Sequence, residues 1–299
     1  MKIGSLLYEP ETVEGFDVMV YYLKRADGTI GPFRLPSKDI YVDISCFADS
    51  KAAAEHPEWV AASKNGAALR KNKTFSLPWD YICPTNEEYQ AYIFDFISQV
   101  AKEDVKCIIL NLYHFPEEGF CTCKRCNSLW KESGLEWMEW RAQVVTDFVR
   151  KAKQVTKQMF AVEIWPDPVL AKDRFGLDFD AIAEYVDFFH VPLSAHNYFS
   201  QFWFDTLARD FRRILKGPLY IELSAETHSK LETQALFKTI AYVSRHNVDT
   251  VFLLTHTARQ IEETCKEVVR DAELRMWLQE HESKIILDII ERWEKIYLS

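Results

Sequence analysis

Val105-Lys106-Cys107-Ile108-Ile109-Leu110-Asn111-Leu112 decides how the rest of the chain is read. A strand with one wet face alternates apolar and polar side chains, whereas Cys107 to Leu110 are apolar at both parities. Such a run suits a strand covered on both faces, the condition of a parallel sheet wrapped by helices. It is far shorter than the ~20 apolar residues that a membrane crossing requires.

Similar short runs recur at 3–8, 40–47, 160–165, 186–191, 219–223 and 248–254. Between them, apolar residues fall three and four apart. Tyr89, Tyr92, Ile93, Phe96, Ile97 and Val100 mark a helix over 86–100, after the start signal Pro84-Thr85. Trp140, Val144, Val145, Phe148 and Val149 mark another over 137–155, and helices at 179–185, 202–215 and 233–244 follow. From Ile261 onward the chain reads as helix throughout. Strand-then-helix alternation predicts an α/β fold with right-handed crossovers. Seven strands approach the eight of a closed (β/α)8 TIM-type barrel, and 299 residues fit its size. The missing strand is 74–79 or 18–23, the latter reading equally well as a helix. A doubly wound open sheet is the alternative, weakened by the lack of a G-x-G-x-x-G or P-loop after any strand.

With 9 glycines, 11 prolines, no linker and no internal repeat, the chain reads as one domain over 1–299, its C-terminal helices starting near 260. Thirty-six Lys plus Arg against 45 Asp plus Glu leave a net charge of −9, without the basic footprint that nucleic acid demands. The basic run from Arg209 to Lys216 is a solvated helix face. Neither a membrane span nor a signal-peptide pattern after Met1-Lys2-Ile3-Gly4 is present, so a cytoplasmic protein is expected. Aromatic residues make up 14% of the chain, mostly core, with Trp and Tyr in surplus for stacking against flat ligands.

Seven cysteines are unevenly placed. Cys46, Cys107 and Cys265 sit in apolar or helical contexts and read as buried thiols, whereas Cys121, Cys123 and Cys126 form a tight C-x-C-x-x-C cluster. Clustered cysteines without a secretory signal suggest a metal before they suggest disulfides. A structural zinc needs about four ligands at ~2.3 Å from thiolate sulfur. Cys83 is the best fourth ligand, since it ends a loop just before a helix, and His114 is the second.

His56-Pro57-Glu58-Trp59, then Cys83-Pro84-Thr85-Asn86 with Tyr89, then Phe120-Cys121-Thr122-Cys123-Lys124-Arg125-Cys126 resemble the family 42 glycoside hydrolases (β-galactosidases) and related glycosidase-like barrels. The resemblance covers about residues 40–260, and the strand segments carry it more weakly than the cysteines. It implies a closed structural zinc site on Cys83, Cys121, Cys123 and Cys126, and a carbohydrate substrate at the C-terminal mouth of the barrel. It also likens residues 3–8 to the family's second strand, so that the first would be incomplete or irregular.

Hydrolysis of a glycosidic bond employs a pair of carboxyl groups. The resemblance places Glu222 at the nucleophile position, with Glu226 as a fallback in the following loop. Asn111 matches an asparagine that hydrogen-bonds the sugar hydroxyl beside the reacting carbon. Leu112 stands where the family carries its acid, and leucine cannot donate a proton. Glu117 or Glu118 from the same loop, Glu163 from the next strand, or His114 would then do the acid's work. Trp165 is a candidate stacking platform, with Asp167 beside it. Tyr198 and His256, with His190 and His196, are candidate ligand contacts at strand ends. Without an acid/base the alternative is a non-catalytic carbohydrate-binding barrel, or an interaction protein. A homo-oligomer through the C-terminal helices is a further expectation.

Overall fold

The computed structural model describes residues 1–33, 35, 37–72, 78–193 and 200–298. In chain order the elements are β1 (Lys2–Leu7), β2 (Val18–Lys24), β3 (Ile40–Ser45), α1 (Ser50–Glu55), the two-residue strands β4 (Ala62–Ser63) and β5 (Gly66–Ala67), and α2 (Glu87–Val100). There follow β6 (Cys107–Asn111), α3 (Lys124–Ser133), α4 (Trp137–Gln154), β7 (Met159–Glu163), α5 (Ala171–Phe175), α6 (Phe179–Ile182) and β8 (Phe188–Pro192). The remainder is α7 (Gln201–Ile214), β9 (Leu219–Ser224), α8 (Lys230–Ser244), β10 (Thr250–Thr255), α9 (Ala258–Arg270), α10 (Ala272–Glu280) and α11 (Lys284–Tyr297).

Eight strands close a parallel barrel in the order β1-β10-β9-β8-β7-β6-β3-β2, the (β/α)8 fold expected from the apolar runs. Every residue of β6 is buried, as its two apolar parities require. The strand missing from the sequence count is β2, while 74–77 of the other candidate lie outside the described residues. One expectation is corrected: the first strand is neither incomplete nor a displaced second strand. All six residues of β1 pair in parallel with β10, from Lys2 opposite Thr250 to Leu7 opposite Thr255. The C-terminal helices, as expected from about residue 260, are three, broken at Asp271 and again before Lys284.

The chain divides into two compact units. The first comprises 1–22, 34–41 and 188–299. Its strand register places Gly4 level with Val18 on one side and Phe252 on the other, and Phe252 level with Glu222. A Cβ at Gly4 would stand 2.5 Å from the Phe252 ring, so glycine leaves the room in which that ring lies. Helix ends are closed by side-chain caps: Ser229 on α8, and a full Thr257–Gln260 capping box on α9.

The second unit comprises 23–33 and 42–187. Asn86 caps α2 through the Tyr89 N–H, Glu87 and Glu88 suit the positive end of that helix, and Tyr89, Ile93, Phe96, Ile97 and Val100 form its buried face. Helix α4 buries Trp140, Val145, Phe148 and Val149 in the same manner. Arg141 on α4 is buried whole. Its guanidinium donates to the carbonyls of Asp173, Arg174 and Glu117 and lies over the Phe115 ring, so it ties the loop after β6 to α5. Burial lowers its pKa to about 10, which still leaves it charged at neutral pH.

Candidate functional site

Active-site groups of (β/α) barrels stand at the carboxyl ends of the strands. In the first unit Glu222 is the fourth residue of β9 and is 2% exposed. Its Oε2 lies 3.1 Å from Nε2 of His190, on the neighbouring β8, and accepts from the Tyr22 hydroxyl at 3.4 Å. Tyr22 is on β2, separated from β9 by β1 and β10. Side chains of non-adjacent strands meet only across the inside of a barrel, so Glu222 faces inward and not toward the helices. Phe252 packs edge-on against His190 at 5.2 Å.

A second group leads outward from Tyr22. Tyr8, just past β1, lies 5.0 Å from Tyr22 and stacks on His256 at 4.8 Å. His256 Nε2 lies 2.9 Å from Oε1 of Glu226, which places both at an exposed rim. Glu226 is thereby engaged with His256. Tyr198 and His196 lie outside the described residues.

In the second unit Asn111 ends β6 and donates through Nδ2 to Asp43 of β3, both side chains being buried. The Asn111 Oδ1 has no hydrogen-bond partner among the described residues, which leaves one buried acceptor available to a ligand hydroxyl. Leu112 follows with φ of +49°, a left-handed backbone that a bulky non-glycine residue rarely adopts and that concentrates at functional loops. Glu163 ends β7 with 8% of its surface exposed.

The competing acids are placed otherwise. Glu117 is held by Arg174 through contacts of 2.5 and 2.8 Å, and Arg174 also binds Asp167 at 2.9 Å. Glu118 is exposed. His114 is fully buried, its Nδ1 2.7 Å from the Phe115 carbonyl and its ring among Tyr81, Tyr113, Trp165 and Phe175. Burial lowers its pKa to about 4, so a neutral imidazole occupies the site and the expectation of a histidine acid is corrected. Trp165 is half-buried against Phe175 at 5.6 Å.

The four cysteines meet within the second unit. Their sulfurs lie within 4.8 Å of one another, with Cys83 at 3.4 Å from Cys126 and 3.9 Å from Cys123. Four sulfurs at ~2.3 Å from a tetrahedral ion would stand about 3.8 Å apart, so the donor set and its spacing fit zinc. Local structure brings them together. Cys123 is the N-cap of α3, its sulfur accepting from the Cys126 N–H, while Cys121 accepts from Ala62 N–H at 3.3 Å. Hydrogen bonds within the cluster hold Cys123 below the usual thiol range and push Cys121 and Cys126 above it. The three remaining cysteines are buried and free. Sequence reasoning missed α3 itself, which carries Cys126, and Tyr22 and His190 as partners of Glu222.

Among solved structures the fold resembles α-L-fucosidase isoenzyme 2 from Paenibacillus thiaminolyticus, at TM-score 0.59 and 11% identity over 99% of this chain and 49% of that one. The chain thus spans about half the length of that fucosidase. It also resembles an inactive mutant of the GH20 exo-β-N-acetylglucosaminidase from Vibrio harveyi, at TM-score 0.51 and 10% identity, over 97% of this chain and 57% of that one. A third is the GH30 endoxylanase from Clostridium papyrosolvens, at TM-score 0.50 and 7% identity, over 88% of this chain and 69% of that one. At such identities the likeness is one of fold. No curated protein matches the sequence. Residues 32–294, most of the chain, match the family DUF4015, described as "Putative glycosyl hydrolase domain", and the chain belongs to that family.

Proposed function

We propose that the chain hydrolyses a glycosidic bond, with Glu222 as the nucleophile or base and Glu163 as the proton donor. The observation that carries this reading is Glu222 itself: a carboxylate inside the barrel, on its seventh strand, with one oxygen close to both His190 and Tyr22. Its place inside the barrel sets it apart from Glu117, which Arg174 clamps. Glu163 is preferred as donor because it is a buried acid at a strand end, whereas Glu118 is exposed. Such a reaction needs one carboxyl to protonate the leaving oxygen and another to attack the anomeric carbon or activate a water there. Asn111, fixed by Asp43, offers its carbonyl oxygen to a neighbouring sugar hydroxyl, and Trp165, His256 and Tyr198 are the proposed flanking contacts.

The family 42 resemblance supports this role for Glu222 and a structural zinc on Cys83, Cys121, Cys123 and Cys126. Those four thiols would fill the coordination sphere, leaving no open position for catalysis. A bound zinc would cross-link the loop after β6 to the segments around Ala62 and Cys83. Leu112, in place of that family's acid, favours the second reading, a barrel that binds carbohydrate without cleaving it.

A panel of nitrophenyl glycosides decides between them. Glu222→Gln is expected to lower kcat/KM on the best substrate at least about 10³-fold, and Glu163→Gln about 10²–10⁴-fold. Variants as active as the parent would remove the assignment. A parent protein that binds sugars yet turns over none would establish the second reading.

A further inference from the structure

A concavity of about 310 Å³, lined by Gly28, Asp49, Lys51, Glu55, Trp59 and Tyr92 among others, is left unused by the proposed reaction, and all of its walls belong to the second unit. That volume lies at the lower end of small-ligand sites. Its lining is an aromatic row. His56 stacks on Trp59 at 3.7 Å and 11°, Trp59 lies 6.0 Å from Tyr89, and Tyr89 lies 5.6 Å from Tyr92. Tyr92 is 42% exposed, so the row reaches solvent. Asp49 and Glu55 add carboxylates beside the rings.

The row is held from behind. The Tyr89 hydroxyl donates to the Cys46 carbonyl and to Asp49, and Asp49 is itself paired with buried Lys24. The Trp59 backbone is fixed where its carbonyl accepts from Cys83 N–H at 2.8 Å, beside the Val60–Ile82 bridge. Opposite the rings, Gly28 lies so close that a Cβ would meet Lys51 Cβ at 2.5 Å and Asp49 Oδ1 at 2.6 Å, and its φ is +90°. Only glycine lets the turn lie against the start of α1 and form that wall.

Rigid aromatic faces beside a carboxylate suit a pyranose: the rings cover its apolar C–H face and Glu55 accepts from its hydroxyls. We propose that this concavity holds one or two sugar units of an extended glycan, built from residues other than those that break the bond. The choice of ligand class rests on the glycosidase reading.

Cellohexaose, chitohexaose and maltohexaose are the probes, titrated calorimetrically into Glu222→Gln protein so that none is consumed. One of them is expected to bind. Adding Tyr92→Ala or Trp59→Ala should weaken that binding tenfold or more, whereas Trp203→Ala, an exposed aromatic of the first unit, should leave it as it was. Far-ultraviolet circular dichroism and melting check folding, and Tyr92→Ala, at an exposed position, keeps the test open should Trp59→Ala fail to fold. Failure to bind any hexasaccharide, or equal binding by both concavity variants, overturns the proposal. Hydrolysis of nitrophenyl glycosides by the parent is scored separately. Turnover without Tyr92-dependent binding sinks this inference alone, and Tyr92-dependent binding without turnover sinks only the glycosidase reading.

Discussion

None of the Lys24 side chain is exposed, and its Nζ is met on several sides by partners. Asp49 stands 2.8 Å away, the Ser45 carbonyl 3.0 Å and the Tyr89 hydroxyl 3.3 Å. Burial pushes the Asp49 carboxyl up, but the Lys24 charge, the Ala52 N–H and the Tyr89 hydroxyl outweigh it and leave the pKa below the ordinary carboxylate value. A depressed folded pKa contributes stability that is complete above ~3.9, the unfolded value, and is lost as pH falls through the folded one. Urea denaturation should therefore show a stability loss in the acid range that shrinks in Lys24→Met. At pH 7 the same variant should cost about 3–5 kcal/mol, by leaving the carboxylate buried beside an apolar group. A Lys24→Met, Asp49→Asn double variant should recover part of that cost. The sequence announces Asn111, Glu163 and Glu222 because each follows an apolar run that ends at it. It does not announce Tyr22 or Lys24, nor that His190 meets Glu222, because these partners lie far along the chain and are chosen by strand order.

At the scale of elements, the cysteine loop is a short segment with little apolar surface to hold it. Helix α3 buries only Cys126, and β4 and β5 pair over two residues each. Thr122 N–H donates to the Ala62 carbonyl and Arg141 gathers the Glu117 carbonyl, so the remaining restraint falls to the thiols. Purified protein should contain about one zinc per chain by elemental analysis. Cys83→Ser or Cys126→Ser should abolish it and lower Tm, whereas Cys265→Ser should retain it. Chelation should likewise increase hydrogen exchange across 113–126 before it reaches the barrel strands. The pattern C-x-C-x-x-C is legible because three thiols in six residues have few other uses, and Cys83 because its loop ends beside a helix start. Strand β2 is not legible, since Val18-Met19-Val20-Tyr21-Tyr22-Leu23 is apolar at every spacing and fits either period. Helix α3 is missed for the opposite reason: it has almost no apolar stripe to read.

Across the whole molecule, the first unit is sealed by its late helices. Helix α9 buries Ile261, Cys265 and Val268, and α11 buries Ile286, Ile289, Ile290 and Trp293, so these apolar stripes face their own unit. Trp293 is fully buried, donates to the Gly15 carbonyl at 3.0 Å, and packs against Phe16 and Phe237. Trp293→Ala should lower unfolding free energy by about 3–5 kcal/mol, measured by urea denaturation. Light scattering of Trp293→Ala beside the parent should then report greater association, because the variant exposes apolar surface.

Strand β1 has β2 on one side, which is translated soon after it, and β10 on the other, which is translated near the end of the barrel. At about 5–20 residues per second, the edge of Lys2–Leu7 waits roughly 12–50 s on the ribosome for its second neighbour. During that interval Ile3, Leu6 and Leu7 lack the cover they finally receive. A nascent chain stalled before Thr250 therefore presents an unpaired apolar ribbon, a natural substrate for a holdase chaperone.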